Sequence, residues 1–295
     1  MDNDITLGII GGSGLYDIPS LTNKTEFSIE TPFGSPSSKI LTGTINNQKV
    51  AFLTRHGPGH IIPPSKINYR ANIYALKLAG VKRIISVSAV GSLKENLAPG
   101  HIVIPDGLYD NTSNRIKTFF NDDIVAHVDV ADPFCKQLSS MLANAVKPTG
   151  ANLHEGGSFI TIEGPRFSTK TESNTFRSWD MSIIGMTTSP EAFLAREAEI
   201  CYSVMAHVTD YDVWHESETP VTVDMVIKTL QENTDIATSS LENLAKTLSE
   251  TPDQTCKCHT ALSDAIITKI NKTTNTNTHN KLRLLIDKYI QDSFE

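Results

Sequence analysis

Two stretches carry side chains that could hold an anion and read a planar ring. The first is Arg55-His56-Gly57-Pro58-Gly59-His60, which follows the apolar run Val50 to Leu53. One guanidinium and two imidazoles thus stand at the end of a predicted buried strand, where glycines let backbone close on a ligand. Arg55 has the planar fork that meets a phosphate through two parallel hydrogen bonds, just beyond a strand's carboxyl end, where open α/β sheets bind ligands. The second stretch is Thr209-Asp210-Tyr211-Asp212, closing a predicted strand from Ile200 to Thr209. Strand side chains alternate faces, so Asp210 and Asp212 point the same way if the extended backbone persists, and both carboxylates can meet one ligand edge. A solvated acidic turn has the same spacing.

Other strand ends repeat the pattern of short polar donors. Leu7 to Ile10 runs into Gly11-Gly12-Ser13-Gly14, which offers backbone N–H groups and the Ser13 hydroxyl but lacks the third glycine of a dinucleotide fingerprint. Arg83 to Ser92, a near-continuous apolar strand of the kind covered on both faces, carries Ser88. Met181 to Gly185 ends in Met186-Thr187-Thr188. Phe167, in Glu163-Gly164-Pro165-Arg166-Phe167-Ser168, could stack on a ring or fill a core gap.

The positioning elements are legible around these residues. Strands are expected at 25–29, 39–45 and 49–53, the last two joined by a tight Asn46-Asn47 turn. A helix opens at Pro63-Pro64-Ser65, buries Ile67, Ala71, Tyr74 and Leu78, and ends at Gly80; Asn68, Tyr69 and Asn72 lie at the site mouth or serve as caps. Asp132-Pro133 opens a helix through Val146, Thr169 with Glu172 forms a capping box, Ser189-Pro190-Glu191 opens a further helix, and another spans 223–248. The alternation predicts an α/β fold with one domain at 1–270, a polar linker at 271–280 and a C-terminal amphipathic helix at 281–295.

Composition narrows the function classes. The chain has 295 residues, 39% of them hydrophobic, enough for one large core, and its formal charge of −7 argues against nucleic acid or an anionic membrane. A phosphate must therefore be held by a local cluster. No run approaches the roughly 20 apolar residues of a membrane span, and the acidic start Met1-Asp2-Asn3-Asp4 is no signal peptide, so a cytoplasmic protein is expected. Cys256-Lys257-Cys258 with His259 has no second Cys/His pair at zinc-ligand spacing, so no metal is expected; Cys135 and Cys201 read as buried small hydrophobes.

Taken in order, Gly11-Gly12-Ser13-Gly14, Arg55-His56-Gly57, Pro64-Ser65-Lys66, Glu163-Gly164-Pro165-Arg166-Phe167, Met186-Thr187-Thr188 with Pro190-Glu191, and Thr209-Asp210-Tyr211-Asp212 resemble the trimeric purine nucleoside phosphorylase family, from about residue 5 to residue 248. The resemblance implies a mixed central sheet with barrel-like closure, a homotrimer or dimer of trimers, phosphate as co-substrate, and neither metal nor organic cofactor. It implies a phosphate site of Ser13, Arg55, His56, Ser88, Ala89 and Thr187, a ribose contact through Met186, and base contacts from Phe167, Ser168, Asp210 and Asp212. It also places His127 of a neighbouring subunit, together with Val226, over the substrate's 5′ end. Members that cleave 6-oxopurine nucleosides have Glu and Asn where this chain has Ser168 and Asp210, which points to the branch that cleaves methylthioadenosine. A 6-amino donor suits a carboxylate, whereas a 6-oxo acceptor is repelled by one. Asp210 is then the candidate proton donor to N7, and Asp212 the acceptor from the amino group. A 6-oxopurine or methylthioinosine phosphorylase, a nucleoside hydrolase and a non-catalytic nucleotide-binding module are the competing expectations. Some thermophilic archaeal members oxidise a Cys-x-Cys pair near the C-terminus; pairing of Cys256 with Cys258 is left open.

Overall fold

The computed structural model describes residues 5–11, 18–215, 234–251, 255–269 and 276–289. The expectations for Ser13, Val226 and residues 271–275 fall outside them. Among the described residues, eleven strands make one sheet: β1 (Leu7–Gly11), β2 (Thr22–Phe27), β3 (Ile40–Ile45), β4 (Gln48–Thr54), β5 (Arg83–Ser92), β6 (Ile102–Ile104), β7 (Gly107–Asn111), β8 (Leu153–Glu155), β9 (Ser158–Ile162), β10 (Ile183–Gly185) and β11 (Cys201–Asp210). The α-helices among the described residues are α1 (Tyr69–Leu78), α2 (Lys136–Val146), α3 (Lys170–Ser178), α4 (Thr188–Glu197), α5 (Thr234–Glu250) and α6 (Thr276–Ile286).

β5 is the hub, because three strands share its two edges. It pairs in parallel with β1 and β11, and its last residues pair antiparallel with β10. Every residue of β11 is buried, as a strand covered on both faces requires. One face of the sheet packs against α1, α4 and α6 in a cluster that includes Ile73, Leu194 and Leu285; the other packs against α2 and α5 through Leu142 and Leu244. The mixed sheet flanked by helices is therefore as expected, but strand pairing does not close it. The chain itself turns the corner: β6 continues into β7, and β8 into β9, across Gly156 and Gly157 at φ 93° and 106°. Positive φ at both positions is what glycine permits.

The Asn46-Asn47 hairpin forms with φ of 49° and 65°, and Thr169 with Glu172 makes the capping box. Three element starts differ from expectation. Pro64–Lys66 forms a separate 3-10 turn, and α1 begins only after Asn68, whose side chain accepts from Ala71 N at 3.2 Å. Asn68 is thus a cap, and Tyr69 and Asn72 are buried. α2 begins at Lys136 with Cys135 as its cap, because Cys135 N is held by Tyr202 O of β11 at 2.8 Å. At the C-terminus, residues 276–280 of the expected linker are already helical. α6 docks on the main core through Leu282, Leu285 and Ile286, so apolar burial overrides the weak helix propensity of its Thr and Asn residues.

Candidate active site

Register brings the expected anion donors to one sheet edge. β1 ends beside β4, with Gly11 opposite Thr54, and Arg55 N donates to Gly11 O at 3.2 Å. β5 continues past the end of β1, so Ser86 and Ser88 flank the same point; their hydroxyls are 3.4 Å apart. Arg55 Nη2 donates to Ser86 Oγ at 2.6 Å. β10 runs back along β5 and delivers Met186 and Thr187 toward Ser88, with Thr187 at the head of α4 and its side chain free of any cap hydrogen bond. Ala89 is half-buried, opposite His207 of β11.

Arg55 differs from expectation in one respect. Its fork is spent on Glu191, with Nε to Oε2 at 2.8 Å and Nη2 to Oε1 at 2.9 Å, and Tyr202 donates to the same carboxylate. That leaves Nη1, whose contact with Val87 O is long at 3.5 Å, to face a ligand. Burial alone would lower the pKa of Arg55, but the charge and hydrogen bonds of Glu191 raise it overall. Glu191 is therefore not simply a helix-opening residue. It is a fully buried counter-ion, and sequence reasoning missed it because a Glu in a first helical turn has an ordinary electrostatic explanation. Beside Arg55, the His56 ring is held through Nδ1 against Ile62 O at 2.8 Å and stacked on His60 at 4.1 Å. Burial and the Arg55 charge push His56 down to about 4, so at neutral pH its Nδ1 donates to Ile62 and its Nε2 is an acceptor.

The carboxylate pair forms by a different geometry from the one expected. The extended backbone stops at Asp210, and Asp212 sits at φ 50°. Its N–H donates to Asp210 Oδ1 at 2.8 Å, an Asx turn in place of strand alternation. Both residues abut Gly91: a Cβ there would lie 3.0 Å from Asp210 Oδ1 and 3.3 Å from Asp212 Cβ. Burial raises Asp210 to about 6, with the Asp212 charge adding to the shift and hydrogen bonds from Thr209 and Asp212 N opposing it. Burial raises Asp212 as well, against the Ser173 and Ser168 hydroxyls, which favour its charged form. Those hydroxyls nevertheless lack hydrogen-bond geometry: Ser168 Oγ, Ser173 Oγ and Asp212 Oδ2 are all buried and unpartnered. Unsatisfied groups gathered at one place mark a ligand position, and Ser173 was not legible in advance because nothing distinguishes it from a helical serine.

Arg115, also unmarked in the sequence, ties the intervening loops together. Its guanidinium donates to Met186 O at 2.8 Å, Ser189 O at 2.7 Å and Glu163 O at 2.7 Å. Met186 packs on Gly164, where φ is 64° and a Cβ would lie 2.6 Å from its sulfur. Phe167 is 39% exposed, which leaves its ring free of the core. A cavity of about 170 Å³ lies behind Ser168, lined by Ile162, Glu172 and Phe176 among others, but neither the aspartates nor Arg55 line it. His127 is exposed, and its recorded backbone contact is with Ala265, so the structure does not bring it into this chain's own cleft.

Comparison with known proteins bears on this arrangement. A family model described as the phosphorylase superfamily matches residues 6–250. A protein of Geobacter sulfurreducens called S-methyl-5′-thioadenosine phosphorylase is 48% identical over 285 residues, covering 96% of this chain and 99% of that protein. One of the same name from Hyperthermus butylicus is 50% identical over 263 residues, covering 88% and 95%. The crystal structure of a methylthioadenosine phosphorylase from an Antarctic soil metagenomic library superposes with a TM-score of 0.91 at 46% identity, covering 97% of this chain and all of that one. The Schistosoma mansoni methylthioadenosine phosphorylase in complex with adenine gives 0.79 at 35% identity, covering 84% and 93%.

Proposed function

This chain belongs to the phosphorylase superfamily, and from that premise we infer that it splits S-methyl-5′-thioadenosine with phosphate into adenine and 5-methylthioribose 1-phosphate. The observation that carries the choice of purine is the buried Oδ2 of Asp212, an acceptor that makes no hydrogen bond within the chain although the Ser168 and Ser173 hydroxyls stand beside the carboxylate. A 6-amino group supplies a donor, whereas a 6-oxo group would set acceptor against acceptor.

In this reading Ser13, Ser88, Thr187, the Ala89 backbone and Nη1 of Arg55 hold the phosphate. Arg55 supplies its charge and one hydrogen bond rather than a bidentate fork. The His56 Nε2 acceptor suits the P–OH of a phosphate that still carries a proton. Phosphate oxygen attacks C1′ as the C1′–N9 bond breaks, and the anion offsets the positive charge that develops on the ribose. Met186 borders the sugar and Phe167 stacks on the base. Asp210 gives its proton to N7 as the adenine leaves, and burial, which raises it to about 6, keeps more of its acid form than an ordinary aspartate has at the same pH. Asp212 accepts from the 6-amino group. Val226 and His127 of a neighbouring copy cover the methylthio end, so the reading includes a homo-oligomer, a trimer or a dimer of trimers. It includes a cytoplasmic setting and no cofactor in the transfer step. A substrate panel at fixed phosphate tests it. Methylthioadenosine and adenosine are cleaved, and inosine and methylthioinosine at least about a hundredfold more slowly, the size expected when a buried acceptor meets another acceptor. Equal rates on both sets would refute the assignment of Asp212.

A further inference from the structure

The fold gathers all four cysteines of the chain, and the transfer reaction uses none of them. Cys135 caps α2, Cys201 opens β11, and Cys256 and Cys258 sit at the start of the 3-10 turn Lys257–Thr260. Their four sulfurs lie within 4.8 Å of one another, and Cys135 and Cys256 are 3.6 Å apart. We propose that these four cysteines bind one divalent, thiolate-seeking metal ion of the zinc class, as a closed structural site.

Dimensions favour this over a chance cluster of small hydrophobes. Four thiolates around zinc at about 2.3 Å stand about 3.8 Å from each other along the edges of the tetrahedron. The spacings here bracket that value, so small side-chain rotations complete the site. Each ligand also rests on fixed backbone: Cys135 N is held by Tyr202 O at 2.8 Å, Cys201 N by Lys82 O at 3.0 Å, and the turn is closed by His259 N to Cys256 O at 3.0 Å. Four soft ligands with no open position suit zinc rather than a hard cation. Binding would exchange four thiol protons, released to solvent, for one divalent cation, leaving a site of charge −2 with no change of oxidation state. A ring nitrogen stands beside the cluster to meet that charge. The His259 ring nitrogen lies 3.5 Å from Cys201 Sγ and 3.3 Å from Lys82 O.

The sequence concealed the site because Cys135 and Cys201 are single cysteines far apart in the chain, joined only by the contact of α2 with β11. What the metal would secure is the segment 255–269, which is anchored by buried Cys258 and Leu262 and pairs with the His127 segment at Ala126–Ile266. Cys256 is half-buried, which gives a path for entry.

The test uses the full chain purified without chelator and without added metal. Elemental analysis should find one zinc per chain. After removal of the metal under reduction, cobalt(II) titration should give the intense visible bands of a tetrahedral tetrathiolate, saturating at one equivalent. Cys256→Ser should abolish those bands while the adenine-releasing activity persists in part, and metal removal should lower the thermal midpoint by several degrees. A chain that carries four reactive thiols and shows no cobalt bands overturns the proposal. So does a chain isolated with two disulfides that, once reduced, binds no cobalt.

Discussion

Asp210 and Asp212 sit in one turn yet have unequal surroundings, and on the proposed function that inequality assigns the two carboxylates two roles. Asp210 has both oxygens engaged, by Thr209 Oγ1 at 2.7 Å and Asp212 N at 2.8 Å, and burial raises it to about 6; Asp212 keeps one oxygen open. A proton donor must be protonated, so activity falls as pH rises through its pKa. At saturating phosphate, kcat/KM should therefore show an alkaline limb starting near pH 6. In kcat the limb should lie higher, because a bound anion raises Asp210 further. Asp210→Asn should lower kcat by roughly 10²–10⁴-fold and remove the limb; an unchanged pH profile would take Asp210 out of the mechanism. Ser88→Ala and Thr187→Val each delete one donor to a charged ligand, about 1.5–3 kcal/mol. Steady-state kinetics should show the KM for phosphate rising tenfold or more with little change in the KM for nucleoside. At this scale the residue types were legible, since Arg, Ser, Thr and Asp at strand ends declare themselves. Their partners were not. Glu191, Ser173 and Arg115 join the candidate site only through contacts 46 to 136 residues away in the chain or through an orphaned hydroxyl.

Elements convert those residues into a site by where they begin and stop. β11 reaches the cleft with a register shift between Val208 and Asp210, and the positive φ of Asp212 then turns the second carboxylate back beside Gly91. Alternation along a strand gave the right convergence for the wrong reason, because an Asx turn is invisible to periodicity. Hairpin and capping box were readable because Asn-Asn turns and Thr-x-x-Glu caps act through neighbours in sequence. The starts of α1 and α2 were not, because tertiary contacts, such as that of Cys135 N with Tyr202 O, override local cap chemistry. α4 carries the element-scale prediction. It supplies Glu191 to a guanidinium that is 3% exposed. Glu191→Ala would strand a buried charge and should cost about 3–5 kcal/mol in denaturant unfolding; a loss below about 1 kcal/mol would mean that Arg55 reaches water in the mutant.

At the scale of the whole molecule, one hub strand gathers ends that the chain order scatters, and the doubly covered sheet fixes their register. That layering was legible from continuous apolar strands between helices; the branched sheet and its covalent corner at Gly156-Gly157 were not, since strand pairing is a long-range property. The C-terminal helix was legible as amphipathic, but its start was not: it begins at Thr276, within the stretch expected to be a linker, because the Thr and Asn residues of its first turn carry no helical signal. Ile61, Ile116, Val125 and Val130 are exposed, and His127 lies between the last two in the chain, on a segment whose apolar residues suit contact with further copies. If a neighbour's His127 completes each site, mixing Asp210→Asn with His127→Ala chains under subunit exchange should restore part of the wild-type activity, whereas sites complete within one chain would yield no recovery. The most direct measurement of the central claim is a ³¹P NMR count of phosphate consumed against adenine released from methylthioadenosine. Convergent phosphate donors predict one sugar 1-phosphate for every adenine and no release in phosphate-free buffer; adenine released without phosphate would contradict the account.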